Sequence, residues 1–325
     1  MTRRSHRRAL TATATLIMSA LAGCSSTHHG PAVASSPPTS ASASAGSRPT
    51  GDPSTWTLPL MRYQATPAQA RTISAARETL TRQCARRYGI TLTPEPVLPP
   101  LGPKNQMDWR YGIHDRELTA RRGYQVDDAQ QARYDAALRA QAGLPRPAQD
   151  TPVVVSGTHL PPDVLAATSA QAQKGIVAGK PVPDGGCSGE AQRTVGTATQ
   201  GASPLVARLM TASYPESMKE PEVKHVFAQW SACMRERGFR YDAPMEANDD
   251  PSFRPGREGV TRKEIAVALA DLDCREAHHV AEVWHTAEAR LQAKAIAGNT
   301  TDLTADRAAL DRTLATAEQI VKSGS

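Results

Sequence analysis

The chain has 325 residues, a formal net charge of +6 and only 4% aromatic residues. Four arginines and no acidic residue lie in residues 1–23, so taking away these four charges leaves +2 on the rest of the chain. A charge this close to neutral argues against a nucleic-acid-binding protein, which needs a concentrated basic surface. The low aromatic content and the abundance of alanine favour packed helices over a sandwich of β-sheets.

The first residues have the layout of an export signal. A basic segment from Arg3 to Arg8 precedes a short apolar stretch from Ala9 to Ala20. That stretch is shorter than the about 20 residues of a membrane-spanning helix, and the basic-then-apolar order is typical of a secretory signal. Leu21-Ala-Gly-Cys24 follows and matches a lipobox. We therefore expect cleavage after residue 23 and a diacylglyceryl lipid on the Cys24 thiol; an ordinary secretory signal is the alternative.

The segment after Cys24 is predicted to be a tether. Residues 25–55 are mainly Ser, Ala, Thr, Pro and Gly, which cannot bury enough apolar surface to fold. The expected organisation is a signal peptide at 1–23, a lipidated and disordered tether at 24–55 and a folded body at 56–325. Several acyl chains on one residue anchor a protein stably. The predicted location is the outer face of the cytoplasmic membrane.

The first helix of the body is predicted from its ends and its apolar spacing. Thr66 suits the N-cap, Pro67 suits the first turn, and Gly89 suits the position just after the last turn. Residues three and four apart between these ends form one apolar stripe, which is the pattern of an amphipathic helix. The stripe consists of Ile73, Ala76, Leu80, Cys84 and Tyr88.

The middle of the chain is less regular. Five prolines predict a loop over residues 91–112, and helices are expected around 126–142 and 162–173. Between them, Val153-Val154-Val155 is β-branched and predicts either a short strand or an extended loop.

Further helices are predicted along the second half. One begins at Cys187 and runs to about residue 198, and a brief helical turn is expected over 204–212. Another runs from Pro221 to Gly238. Thr261-Arg-Lys-Glu264 has the form of a capping box and predicts a helix that continues to about residue 297. With a last helix over about 304–322, the predicted fold class is mainly α, with long Pro/Gly-rich loops.

Four cysteines remain once Cys24 is used for lipid, namely Cys84, Cys187, Cys233 and Cys274. An even number in an exported protein indicates two disulfides, although four cysteines allow three pairings. The alternative is a reactive thiol at Cys187, because a helix start lowers a thiol pKa.

A short internal repeat favours one pairing. After both Cys84 and Cys233, an arginine follows two residues later, a glycine five later and an apolar residue six later. Two related halves, 56–200 and 201–325, would then each join a first helix to a later one. The hypothesis is the pairing Cys84–Cys187 and Cys233–Cys274.

Four segments of the body resemble a known group of proteins. They are Trp56-Thr-Leu-Pro-Leu60, Arg110-Tyr-Gly112, Gly185-Gly-Cys-Ser-Gly-Glu190 and Trp230-Ser-Ala-Cys-Met-Arg-Glu-Arg-Gly238. The group comprises uncharacterised exported lipoproteins of high-GC actinomycetes, and the resemblance covers most of residues 56–290. It implies a helix-rich, disulfide-bonded and exported protein, and it implies no activity.

One set of residues has the spacing of a metal site. His278, Glu282 and His285 lie at i, i+4 and i+7 of the longest predicted helix and would share one face. Zinc uses three or four such ligands, but no fourth is evident, and the alternative is a solvated polar stripe.

Other catalytic patterns are incomplete. Gly186-Cys-Ser188-Gly is similar to a nucleophile elbow, but that motif requires glycine where Glu190 stands. Asp249-Asp250 lacks calcium-loop spacing, and no glycine-rich phosphate loop occurs. We therefore predict no catalytic residue.

The predicted function is that of a membrane-anchored, non-enzymatic binding or interaction module. Its expected partners are the outer leaflet of the membrane, through the lipid, and an envelope protein or wall component. No nucleic acid and no cofactor other than the lipid on Cys24 are expected. The alternatives are an exported hydrolase that acts on wall polymer or peptide, and a metal-binding lipoprotein.

Overall fold

Helices form most of the described structure, which confirms the predicted fold class. The computed structural model describes residues 48–94, 97–196, 201–253 and 259–323, all within the unit Ala45–Ser325. The predicted signal peptide, Cys24 and the predicted tether up to residue 47 lie outside these ranges. Within the ranges, no helix combines the length and apolar character that a membrane span requires.

In chain order, the helices of the described residues are α1 (Pro67–Arg86), α2 (Arg116–Arg122), α3 (Asp128–Ala142), α4 (Thr151–Ser156), α5 (Pro162–Ala166), α6 (Gly186–Val195), α7 (Pro204–Ser217), α8 (Pro221–Glu236), α9 (Pro244–Asn248), α10 (Arg262–Ala277), α11 (Val280–Gly298) and α12 (Thr300–Ser323). The two short strands β1 (Ile176–Val177) and β2 (Lys180–Pro181) pair antiparallel, with Ile176 opposite Pro181 and Val177 opposite Lys180.

Capping side chains explain where two of these helices begin. The Thr66 hydroxyl accepts a hydrogen bond from the Gln69 backbone N–H, and the Gln69 side chain accepts one from the Thr66 N–H. This reciprocal capping satisfies two donors that a helix start leaves unpaired. Thr261 caps α10 by accepting from the Glu264 N–H, but the Glu264 side chain accepts from Gln125 instead. Both predicted starts are confirmed, while Glu264 does not complete the predicted capping box.

The single long helix predicted to end near residue 297 is wrong. The chain forms α10 and α11, and between them His279 adopts φ 51°, a left-handed conformation that residues with side chains rarely take. Helix α10 packs against α2 and α8, whereas α11 packs against α7 and α8. One straight helix of this length would measure about 50 Å. The break lets α10 bury its apolar face against α2 and α11 bury its own against α7, while both contact α8.

The strand or extended loop predicted for Val153-Val154-Val155 is also wrong, because these residues lie in α4. Pro152 occupies the first turn, and Gly157 with φ 78° ends the helix. Val153 and Val154 are fully buried beside Cys187. Tertiary packing has therefore overridden the β-propensity of the valines.

Two other helices differ from the prediction in length. Helix α7 continues through Pro215 to Ser217, well beyond the predicted brief turn, because Met210 and Ser213 on its inner face pack toward α11. The helix expected over 162–173 is limited to α5 and a separate 3-10 turn, Ala172–Lys174.

Both predicted disulfides are present, which confirms the predicted pairing. Cys84 pairs with Cys187 at a Cα–Cα distance of 5.6 Å, and Cys233 pairs with Cys274 at 5.8 Å. Each lies in its own apolar core. The larger core, around Cys233–Cys274, also contains Trp56, Leu58, Met107 and Tyr111. Residues of 56–200 thus contribute to the core of 201–325, and the division into two related halves stays a prediction.

The internal repeat corresponds to one local structure that occurs twice. At the end of α1, Gly89 has φ 72° and the Ile90 N–H donates to the Ala85 carbonyl. At the end of α8, Gly238 has φ 87° and the Phe239 N–H donates to Met234. In both places a glycine allows the left-handed turn that ends a helix directly after its disulfide cysteine.

Candidate functional site

Two segments that are distant in sequence meet beside α10 and α11 and enclose a cleft of about 500 Å³. One runs from Gly51 to Trp56, and the other runs from Lys104 to Asp115. We name this cavity the histidine cleft; its polar lining includes Asp52, Lys104, His114, Arg275, Glu276 and Glu282.

The first wall comes from residues that the sequence assigned to the tether. The Asp52 carboxylate accepts a hydrogen bond from the Ser54 N–H at 2.8 Å, which holds a 3-10 turn directly before Trp56. The Trp56 indole N–H donates to the Thr50 carbonyl at 3.2 Å, and the Asn105 amide donates to the Ser54 carbonyl at 2.9 Å. The folded body therefore extends N-terminal to residue 56, and these contacts fix Asp52 against the second wall.

The second wall is held by a buried arginine. The Arg275 guanidinium donates to the Tyr111 carbonyl at 2.5 Å and to the Asp271 carboxylate at 2.6 Å. Gly112 passes directly over that guanidinium with φ 115°, and a Cβ there would lie 2.4 Å from it. Only glycine has both the space and the backbone freedom for this approach. The contact determines where His114, two residues later, enters the cleft.

His114 stands between two carboxylates. Its Nε2 lies 2.7 Å from Oδ1 of Asp108, which is buried and also accepts a hydrogen bond from the Lys104 N–H at 2.6 Å. Its Nδ1 lies 3.7 Å from Oδ1 of Asp52 on the cleft side. One ligand atom from each of the three side chains lies within 4.8 Å of the others. In the part of the chain that the structure describes, these three side chains are the group whose ligand atoms lie close enough to share a metal ion.

The cleft has an excess of negative charge. Its lining contains two basic side chains, Lys104 and Arg275, and four carboxylates, Asp52, Asp115, Glu276 and Glu282. The Arg275 charge is already paired with the buried Asp271, whereas Glu276 has only a surface partner, Arg116, at 3.4 Å. The potential inside the cleft therefore favours a ligand with positive charge.

A buried ion pair between Arg110 and Glu288 lies next to Tyr111 of the cleft lining. Glu288 is fully buried on α11, and its carboxylate accepts hydrogen bonds from both the Nε and Nη2 of Arg110. The Tyr111 hydroxyl donates to it at 2.8 Å and the Ser213 hydroxyl at 2.7 Å. Burial would raise the pKa of Glu288, but Arg110 and the two hydroxyls hold it below its usual value. All its acceptor positions are occupied by protein donors, so Glu288 has a structural role.

His285 lies in an aromatic cluster next to this pair. Its Nε2 is 2.9 Å from the Thr57 carbonyl, and its ring packs edge-on against Trp56 and Tyr111, both of which line the cleft. Its Nδ1 has no hydrogen-bond partner among the described residues. Burial lowers the pKa of His285, so the ring is neutral in the folded protein at neutral pH.

The three predicted metal ligands do not form a site in the described structure. His278 is the C-cap of α10, beyond which the chain turns, so it does not share a helical face with the other two. His285 points into the core toward Thr57, and Glu282 lies on the cleft side near His279, 3.8 Å away. Because the helix is broken at His279, the i, i+4 and i+7 spacing of the three residues does not place them on one helical face.

The candidates near Cys187 are also accounted for. Cys187 is buried in its disulfide, so the described structure holds no free thiol there. Ser188 is exposed and lines a larger groove of about 1080 Å³ next to α1 and α4. The charged side chains of that groove include Glu78 and Arg82, which pair with each other at 2.8 Å.

Although smaller, the histidine cleft concentrates more interacting titratable groups, and we take it as the candidate site.

Comparison of the chain with protein-family models, with curated proteins and with solved structures found no match. The site residues therefore rest on geometry. Sequence reasoning missed Asp52, Asp108 and His114, because Asp52 lay in the predicted tether, Asp108 lay in the predicted loop 91–112 and His114 followed that loop without any motif. The nearest signal was Arg110-Tyr-Gly112, which stands between Asp108 and His114 and forms the second wall.

Proposed function

We propose that this protein is a lipid-anchored, extracytoplasmic binding protein that holds a positively charged group of its ligand in the histidine cleft. The observation that carries the proposal is the excess of carboxylates on a cleft whose walls are held in place by hydrogen bonds, those of Arg275 being buried. A preformed, charge-complementary cavity binds without a large ordering cost. The expected ligand is a wall component or an envelope protein with an exposed amine or other cationic group.

The proposed location rests on sequence and is supported by the redox state. The Leu21-Ala-Gly-Cys24 motif marks a lipidation site, and the two disulfides suit an oxidising compartment outside the cytoplasm. The lipid on Cys24 would hold the body near the outer leaflet of the cytoplasmic membrane. Replacing Cys24→Ala should move the protein from the membrane fraction to the soluble or secreted fraction. Unchanged membrane retention would disprove the anchor.

Cross-linking in living cells tests the binding function. The mature lipoprotein is compared with Glu282→Gln, which removes one charge from the cleft, and with Glu318→Gln, which removes one from the exposed face of α12. Captured molecules are identified by mass spectrometry. We expect the E282Q variant to lose captured wall fragments or protein, and the E318Q variant to retain them. Equal capture by all three proteins would show that the histidine cleft is not the binding site.

A hydrolase is the second candidate, and one observation favours it. The buried Asp108 carboxylate and the partly exposed His114 imidazole form a pair beside a cleft, which is an arrangement that activates water as a nucleophile. The described lining contains no serine, threonine or cysteine, and this candidate function assigns the attack to a water activated by His114. Wall-polymer or peptide hydrolysis by the purified protein, abolished by His114→Gln, would support this reading. Undiminished hydrolysis in H114Q would place the activity elsewhere.

A further inference from the structure

The two nitrogens of His114 have different partners. Nε2 lies 2.7 Å from Asp108, whose carboxylate can only accept, so Nε2 carries the hydrogen. In the neutral imidazole this leaves a lone pair on Nδ1. Nδ1 lies 3.7 Å from Oδ1 of Asp52. Two acceptor atoms are therefore neighbours on the lining of the histidine cleft.

This separation is too long for a hydrogen bond and short enough for two ligands of one ion. Zinc binds imidazole nitrogen and carboxylate oxygen at about 2.0–2.2 Å, so neighbouring ligand atoms in a tetrahedral site stand roughly 3.4 Å apart. A metal-bound histidine almost always donates its other N–H to a carboxylate, which orients the ring and makes it a better ligand. Asp108 occupies that position, and its burial keeps it there.

The ligand types select the class of ion. Imidazole with carboxylate suits zinc and neighbouring transition metals, whereas magnesium and calcium prefer oxygen ligands alone. The side chain of His114 is 20% exposed and that of Asp52 is 47% exposed, so an ion between them is reached from solvent. Its remaining coordination positions would be filled by water or by a donor group of the bound molecule.

We propose that His114 Nδ1 and the Asp52 carboxylate bind a divalent transition-metal ion of the zinc class, with Asp108 as the positioning residue. The ion is the first occupant of the negatively charged cleft, and the inference rests on the proposed binding function. It uses residues other than His278, Glu282 and His285. The site is the place where Gly51–Trp56 joins the Lys104–Asp115 loop, so a bound ion also links the two walls.

Titration with Zn²⁺ and with Co²⁺ alone tests the site in the full mature chain. His28 and His29 are replaced by alanine in every variant, because adjacent histidines in the N-terminal segment can bind a stray ion. We expect one equivalent of Zn²⁺ by calorimetry, and a visible Co²⁺ spectrum of nitrogen and oxygen ligands. Asp52→Asn and His114→Gln should abolish both signals. Asp108→Asn keeps the side-chain shape and should weaken binding by roughly 10–100-fold.

Two variants serve as matched controls. Glu318→Gln removes an exposed carboxylate on α12, and His225→Gln removes an exposed histidine on α8; both should bind the ion like the parent chain. Thermal melting of each variant shows that the fold is intact. Absence of saturable binding, or equal binding in all variants, overturns the proposal.

The metal titration tests the metal site and the cross-linking experiment tests the binding function, so either claim can be disproved without the other. If D52N and H114Q bind no less metal than the parent, while E282Q still loses captured ligand, the metal site is wrong and the binding function stands. If E282Q captures as much as the parent, the binding function of the cleft is wrong, whatever the titration shows.

Discussion

Arg110 and Glu288 are 178 residues apart in sequence, and they form a buried ion pair in which the guanidinium donates two hydrogen bonds to one carboxylate. Arg110 lies in the loop that forms the second wall of the histidine cleft, and Glu288 lies in the middle of α11. The pair therefore ties an irregular loop to a rigid helix. Its geometry determines where Tyr111, and hence the cleft lining, is placed.

Replacing Arg110→Met should lower the free energy of unfolding by about 3–5 kcal/mol, because it leaves the Glu288 charge buried without its partner. The matched control is Arg290→Met. Arg290 pairs with Glu220 and Glu222 on the surface, and its loss should cost less than about 1 kcal/mol. Urea denaturation measures both variants. A similar loss in the two would mean that the buried pair has no special weight.

Removal of either disulfide should destabilise the protein strongly. The bonds close segments with sequence separations of 103 and 41 residues, for which the chain-entropy model gives roughly 4–5 kcal/mol each. The pairs Cys84→Ala/Cys187→Ala and Cys233→Ala/Cys274→Ala are compared by denaturant unfolding in a Cys24→Ala background. Ser188→Ala, next to Cys187, is the control and should leave stability unchanged. Losses below about 1 kcal/mol would indicate that packing alone holds these helices together.

Stability should decrease as the pH falls below neutrality because of His285. Its folded-state pKa is lowered, first by burial and then by Arg110, although the Thr57 carbonyl and Glu288 oppose this. Below the unfolded-state value of about 6.5 the unfolded chain binds a proton that the folded protein does not. The stabilisation is therefore complete above that pH and is lost as the pH falls through the folded-state pKa.

The measurement for His285 is the unfolding free energy between about pH 7.5 and about pH 5.5, a range above the ordinary carboxylate pKa values. His285→Gln should reduce the change of the unfolding free energy with pH, because glutamine can still donate to Thr57 and does not titrate. His225→Gln, on the surface of α8, should keep the slope of the parent. An unchanged slope in H285Q would assign the pH dependence to another group.

Gly112→Ala should destabilise the protein by at least about 2 kcal/mol, because its φ of 115° is strained for alanine and the new Cβ would meet Arg275. The comparison is Gly298→Ala at the end of α11, where a Cβ meets nothing within 4 Å. That change should be neutral or slightly stabilising, since alanine favours helices. Equal stability of the two variants by thermal unfolding would contradict the close contact at Gly112.

Sequence reasoning succeeded where the physics is local. The start of α1 at Pro67 follows from a threonine cap and a proline in the first turn, and its end follows from Gly89. The pairing of Cys84 with Cys187 was predicted from a short repeat, and that repeat proved to be the same helix ending in two places. A helix cap, a glycine turn and a cysteine about one helical turn before that glycine each depend on residues only a few positions apart. The amino-acid sequence alone is therefore enough to predict them.

It failed where distant segments compete for burial. Residues 153–155 form a helix because Val153 and Val154 pack beside Cys187. The helix through His279 is broken because α10 packs against α2 whereas α11 packs against α7. The same break dismantled the predicted ligand set of His278, Glu282 and His285. Periodicity describes one element alone, whereas these outcomes depend on which surfaces meet.

The cysteine pairing and the mainly helical class were thus predictable from the order of residues, and the export signal stays a prediction from the same source. The histidine cleft was not predictable in this way, because Asp52 and His114 are joined by no local pattern. Their meeting depends on the Arg110–Glu288 pair and on Arg275 under Gly112, contacts that exist only after the chain has folded. Local signals determine which helices form, and long-range polar contacts between buried groups decide where the acidic side chains of the cleft converge.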